Sequence, residues 1–138
     1  METLVEADFS RYREQILGIR YAVFVAEQGV PEELEQDDKD PLCRHALLIS
    51  DHVPIATGRL QEDGHIGRIA VLREHRGKGA GSRILAFLER IAKTAGLGRV
   101  YLGAQVHAIP FYEKLGYRCY GETFLDAGIV HRYMQKVI

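Results

Sequence analysis

Cysteine is scarce and unpatterned. Cys43 and Cys119 are the only two in 138 residues, and neither sits in a Cys-x-x-Cys or beside a paired-histidine spacing. Reduced, incidental thiols fit that usage better than a disulfide framework or a zinc site, so no metal is expected. Long apolar runs are missing as well: the longest are about the length of Tyr21–Ala26, far below the roughly 20 residues of a membrane-crossing helix. Met1-Glu2-Thr3-Leu4 lacks the basic start and apolar stretch of a secretory signal, and a cytoplasmic protein without a membrane partner is the expectation. Nor does one sign of charge dominate. The 18 Lys and Arg against 19 Asp and Glu leave a net charge of −1, which argues against disorder and against a nucleic-acid partner.

What is present is enough apolar material for one core. With 46% apolar residues, residues 1–138 read as one domain that buries roughly two thirds of its unfolded surface and needs no staple. The neutral total hides a segregation. Residues 27–40 hold seven acids (Glu27, Glu32, Glu33, Glu35, Asp37, Asp38, Asp40) and one lysine, a local charge of −6; residues 68–99 hold eight bases against Glu74 and Glu89, a local charge of +6. Such runs are either solvated surface or regions that draw ligands of opposite sign.

A strand over Thr3–Glu6 precedes a helix capped at Ser10 that carries Ile16, Ile19, Tyr21, Val23 and Phe24 to Gln28-Gly29. The acidic stretch reads as a surface loop or short exposed helix. His45–Ser50 and Ile55–Gln61 form a hairpin about Asp51–Pro54, and His65–Leu72 is apolar enough for a strand buried on both faces. After Gly81, residues Ile84, Leu85, Leu88, Ile91, Ala92 and Ala95 recur at helical spacing up to Gly96. Val100–Leu102, a helix over Phe111–Leu115 and strands over Tyr117–Tyr120 and Ile129–Lys136 follow. This order predicts an α/β (α+β) fold: a mixed, mostly antiparallel sheet flanked by helices, with a central parallel strand-helix-strand crossover.

Arg76-Gly77-Lys78-Gly79-Ala80-Gly81-Ser82 lies between a strand and the long helix, where free backbone N–H groups and the helix dipole favour an anion. Three glycines permit close approach, and Arg76, Lys78 and the Ser82 hydroxyl suit a pyrophosphate. A plain tight turn is the alternative. A P-loop fails because no second glycine precedes Lys78, and the dinucleotide fingerprint fails at Ser82.

Arg76-x-x-Gly79-x-Gly81 after Arg68–Leu72 resembles the acyl-CoA signature of the GNAT superfamily of N-acetyltransferases, and Phe111–Tyr117 resembles its second motif. Val23–Pro31 and the acidic segment after it resemble the small bacterial ElaA-like or YjcF-like subgroup. The resemblance implies acetyl-CoA as co-substrate. It would lie on the amides of Gly77, Lys78, Gly79, Ala80, Gly81 and Ser82, with Arg76 and Lys78 facing phosphate. The pantetheine arm would pair with Ile69, Ala70 and Val71 where that strand splays from the next, and Gln105, Ala108 and Phe111 would line the far side. Phe111 as ordinary core is the other reading.

Tyr112 occupies the position that protonates the departing thiolate in many relatives, and structural packing is its alternative role. An alkylamine is mostly protonated at neutral pH, so a base must free it. Glu27, at the end of the first helix, is the first candidate, and His131 the second. The implied reaction moves an acetyl group to a primary amine, small or protein-borne, by direct attack in a ternary complex. A covalent route through Cys43 or Cys119 lacks a base in sequence. The acidic segment would draw the cationic amine. A non-catalytic acyl-CoA-binding module is the rival, and a homodimer is compatible with the sequence.

Overall fold

The computed structural model describes residues 1–138. Strands β1 (Glu2–Ala7), β2 (Arg44–Ser50), β3 (Val53–Leu60) and β4 (Ile66–Val71) form an antiparallel sheet in that order, and β5 (Arg99–Gln105), β6 (Arg118–Asp126) and β7 (Ile129–Val137) form a second with β7 in the middle. The two sheets meet at a single parallel bridge, His65 to Tyr101. The mixed, mostly antiparallel architecture is thus present, with its parallel crossover from β4 to β5 opened into a gap. No helix is long and apolar enough to cross a membrane.

Alternation along β2 divides the core. Ala46 and Leu48 face the cluster built on helix α3 (Ala80–Thr94), with Ile84, Leu85 and Leu88, while Leu47 turns to the cluster of Ile16 and Ile19 on α1 (Phe9–Arg20) and of Val23. Helix α3 settles tightly on β3. A Cβ at Gly58 would stand 2.8 Å from Ile84 Cγ2 and 3.0 Å from Leu88 Cδ1, so only glycine admits that approach.

Helix α1 is capped by Asp8 rather than Ser10: Asp8 Oδ2 accepts from the Arg11 amide at 3.1 Å and from Ser10 Oγ at 2.5 Å. Beyond Arg20 the expected helix continues as a π-helical segment, Tyr21–Glu27. The changed pitch buries Val23 while Phe24 and Gln28 face the gap. Two strand readings also change. The strand after His65 buries Ile66 and Ala70 but leaves the residues between them half-exposed, because its outer edge faces the gap. Strand β6 runs to Asp126 instead of ending at Tyr120, passing through a bulge at Tyr120–Thr123 with Gly121 at φ 71°. Its mostly exposed residues removed the alternation that would have marked it.

The acidic segment is the largest correction, since its key residues are interior. It forms α2 (Glu32–Glu35) and a 3₁₀ turn, Asp40–Leu42. The side chains of Arg20, Glu35 and Asp40 are 1%, 4% and 4% exposed, with Arg20 Nε donating to Glu35 Oε1 at 2.5 Å and Nη1 to Asp40 Oδ1 at 2.8 Å. Arg59 on β3 donates to Asp37 Oδ1 and Oδ2 at 2.9 and 2.8 Å and to Asp40 Oδ1 at 2.8 Å. Arg68 on β4 donates to the Glu35 carbonyl at 2.9 Å. This network stitches α1, the acidic segment, β3 and β4. Burial opposes the Asp40 charge, yet Arg20 and Arg59 outweigh it and hold its carboxyl below the usual range; Arg59 does the same to Asp37.

Arg20→Met leaves two buried carboxylates short of a partner and is expected to cost about 3–5 kcal/mol in urea unfolding. Arg44→Met, which breaks the half-exposed pair with Glu6, should cost less than about 1 kcal/mol. Because the Asp37 and Asp40 carboxyls are lowered on folding, their contribution is complete above the ordinary carboxyl range and is lost as pH falls below about 4. The wild-type midpoint should drop over that window.

Candidate active site

The parting of β4 and β5 leaves a cavity of about 590 Å³, and a smaller one of about 290 Å³ lies over the start of α3. Both are walled by β4, Ile69 on the larger and Val71 on the smaller. Between Gly67 and Val71 this strand has no paired neighbour on its β5 side. A backbone edge facing an internal cleft can pair with an extended amide-bearing ligand. Ala70 is buried beneath α1, so it offers backbone alone.

The glycine loop frames the smaller cavity. Gly77 and Gly79 sit at φ 79° and 80°, a region open to glycine at little cost. The first intrahelical bond of α3 is Arg83 N to Gly79 O at 3.0 Å, and no side chain caps the helix. The amides of Ala80, Gly81 and Ser82 are therefore free for an anion. A Cβ at Gly81 would meet only Val71 Cγ2 at 3.9 Å, and one at Gly77 nothing within 4 Å. Packing does not fill this space, which leaves a cradle that fits a pyrophosphate. Phe111, 43% exposed, borders it at the start of α4 (Ile109–Lys114), so it is not ordinary core. Lys78 does not line the cavity; its carbonyl accepts from Arg83 Nη1 at 2.8 Å.

Arg76 does line it, and it is partly engaged. Its Nε donates to the Val71 carbonyl at 3.0 Å, and Nη1 and Nη2 grip Glu27 Oε2 and Oε1 at 2.5 and 2.7 Å. The Arg76 hydrogen bonds hold the Glu27 carboxyl below its ordinary range. Glu27 is thus placed on the side of the glycine loop and does not line the larger cavity.

Tyr112, His131, Gln105 and Ala108 all line that larger cavity. Tyr112 packs edge-on against Phe111 and Tyr117, with centroids 5.1 and 5.9 Å away, and burial pushes its phenol pKa up. It keeps its proton at neutral pH. His131, on β7, has Nδ1 2.7 Å from the Ile129 carbonyl and stacks on Phe124 at 5.6 Å. A carbonyl can only accept, so in the neutral ring Nδ1 carries the hydrogen and Nε2 presents a lone pair.

Several wall residues escaped sequence reasoning. Gln28 reaches the cavity through the π-helical segment, and Gln61 with His65 at the foot of the gap, where His65 stacks on Tyr101 at 4.8 Å. Arg68 was the most detectable, a charge within an otherwise apolar strand. It adopts φ 51° at the β3–β4 irregularity, a costly conformation for a non-glycine residue.

A splayed strand edge running into a glycine cradle defines the class, an acyl-CoA-binding N-acyltransferase fold. Residues 7–138 match the family model described as "Acetyltransferase (GNAT) domain", and the chain belongs to that family of enzymes. It is 42% identical over 122 residues to the uncharacterized N-acetyltransferase YjcF of Bacillus subtilis, covering 86% of this chain and 87% of that one. An acyl-CoA N-acyltransferase from Pseudomonas aeruginosa superposes with a TM-score of 0.87 at 28% identity, covering 99% and 98% of the two chains. Escherichia coli ElaA superposes at 0.86 and 28% identity, covering 99% of each.

Gly81→Val should fold normally, since a Cβ there has room, yet fill the cradle. CoA affinity by calorimetry is expected to fall about 10- to 100-fold, the loss of one or two hydrogen bonds to a charged group, with the melting temperature nearly unchanged. Undiminished affinity would remove the loop from the site.

Proposed function

We propose that the protein transfers an acetyl group from acetyl-CoA to a primary amine by direct attack in a ternary complex. The observation that carries this reading is that the His131 imidazole and the Tyr112 phenol line one cavity along the unpaired edge of β4. The amides of Gly77–Ser82 together with Arg76 would hold the pyrophosphate, the backbone of Ile69–Val71 the pantetheine arm, and Gln105, Ala108 and Phe111 the far wall. Acetyl-CoA, when bound, supplies a thioester carbonyl as the electrophile.

His131 Nε2 takes the proton that the amine must lose, and the Nδ1–H donated to the Ile129 carbonyl steadies the resulting imidazolium. Tyr112 holds the proton that the departing thiolate requires. As the C–N bond forms and the C–S bond breaks, one proton leaves the nitrogen and one reaches the sulfur. Glu27 serves this scheme by holding Arg76 rather than by taking the proton. Neither Cys43 nor Cys119 lines the cavity, and burial pushes the Cys43 thiol up, so no side-chain nucleophile is at hand and direct attack is favoured. Two polar side chains with unused hydrogen-bonding capacity in the cavity also weigh against a module that only binds acyl-CoA.

Tyr112→Phe is expected to keep acetyl-CoA affinity and lower kcat by about 10²- to 10⁴-fold. Since the acid must be protonated and its pKa is raised, the wild-type alkaline limb should fall above the ordinary tyrosine range near 10. His131→Gln should lose kcat at neutral pH and regain part of it at high pH, where more of the amine is already neutral. Glu27→Gln, in contrast, should weaken CoA binding while leaving the pH profile in place. A Glu27→Gln profile that rises with pH, beside an unaltered one for His131→Gln, would return the base to Glu27.

A further inference from the structure

Resting on the reading of the larger cavity as the acceptor site, we infer that the acceptor is an amino carboxylic acid whose carboxylate is received by Arg68 and whose apolar side chain lies against the cavity wall. The acidic segment, expected to draw the cationic amine, offers this cavity little free charge, because Glu33 and Asp38 do not line it. Glu35 is consumed by Arg20, and Asp37 by Arg59. Of the network's charges, Arg68 is the least well paired. Its distances to Glu35 Oε1 and Asp37 Oδ2 are 3.7 and 3.4 Å, against 2.5–2.8 Å for the ion pairs of Arg20 and Arg59. Its good hydrogen bond goes to a neutral acceptor, the Glu35 carbonyl.

Arg68 therefore has donor capacity left. Nε and Nη2 make all of its hydrogen bonds and Nη1 makes none within the chain. The buried side-chain atoms lacking a partner are His45 Nδ1, Arg59 Nε and Arg83 Nε. Nη1 of Arg68 is not one of them, so it reaches the solvent of the cavity that Arg68 lines. Burial, then the fields of Arg59 and Arg20, work against the Arg68 charge, and an incoming carboxylate relieves all three.

The remaining walls fit the other two parts of such a molecule. Phe24, Val30, Leu34, Phe124 and Leu125 offer apolar surface, with Leu34 and Leu125 as exposed as 59% and 70%. Asp126, at the β6 tip, is the one wall carboxylate outside the network. It provides a counter-charge for an ammonium group approaching His131 from the same sheet. Arg68 on one sheet and Asp126 with His131 on the other thus match the two ends of a zwitterion.

The test is CoA release from acetyl-CoA with matched pairs: L-leucine against 3-methylbutylamine, and L-phenylalanine against 2-phenylethylamine, with spermidine alongside. The wild type should favour each acid over its amine by about 10- to 100-fold in kcat/KM, the range of a hydrogen bond to a charged group. Arg68→Gln should collapse that ratio toward one, lowering kcat/KM for the acids about 10- to 100-fold more than for the matched amines. Arg68→Lys, which keeps the charge and the network's balance, should lower the ratio several-fold and decides the matter if the glutamine variant does not fold. Amines or spermidine equal to or better than the acids in the wild type would overturn the inference and leave acetyl transfer standing. So would a preference for acids that survives both Arg68 variants. No CoA release with any of the five compounds, from protein that still binds acetyl-CoA, would overturn the transfer reading along with it.

Discussion

The parting of β4 from β5 is the constraint on which the rest depends. Adjacent strands normally satisfy each other's backbone groups, and a strand that forgoes a neighbour keeps unpaired N–H and C=O groups. Here the two strands touch at His65–Tyr101 and then separate. The geometry is held at both ends. At the closed end, His65 stacks on Tyr101, whose hydroxyl donates to Asp63. Further along, Arg68 bends β4 with a left-handed residue opposite the irregularity in β3, and its guanidinium is tied to the Glu35 carbonyl. The strain of one residue is thus offset by the ion network that receives its side chain. The same network fixes the π-helical segment and α2, so the wall of the cleft and the bend in its floor are one mechanical unit.

That unit also explains why charge counting misleads. A run of seven acids reads as a polyanionic surface because sequence distance does not reveal that three of them, Glu35, Asp37 and Asp40, pair with Arg20, Arg59 and Arg68. These partners lie 15 to 33 residues away in the contacts to Glu35, Asp37 and Asp40. The informative signs were the arginines themselves. Arg59 stands in a strand that is otherwise nearly all buried, and Arg68 in one that alternates poorly. A charge placed where burial is expected requires a partner, and the nearest surplus of acid was the segment read as solvated.

The crossover helix and the glycine loop were legible because local physics determines them: α3 has an unambiguous apolar stripe, and positive-φ glycines before a helix have few other uses. Strand β6 was not, because its outer half buries almost nothing and so carries no period. The π-helical segment could not be read either. Its residues satisfy an α-helical pattern, and only the tertiary demand that Val23 point inward while Gln28 meets the cleft selects the wider turn. Of the candidate site residues, those on the loop and on α4 belong to short motifs. His131 needed the pairing of β7 between β5 and β6, a long-range arrangement, before its position beside Tyr112's cavity could be seen.

The same distinction bears on which group serves as base. A base in turnover must gain and lose a proton, so its neighbourhood has to accept both charge states without large reorganisation. Glu27 is anchored by two hydrogen bonds to Arg76, and protonating it would break the ion pair that holds the arginine proposed to face phosphate. Its lowered pKa makes it a weak acceptor of protons from an ammonium. His131 is not tied up in an ion pair. The Ile129 carbonyl accepts from Nδ1 whether the ring is neutral or charged, and Phe124 supports the ring face in both states. In the proposed scheme, separating the residue that holds a permanent charge from the one whose charge changes would let the glycine cradle stay rigid through the cycle.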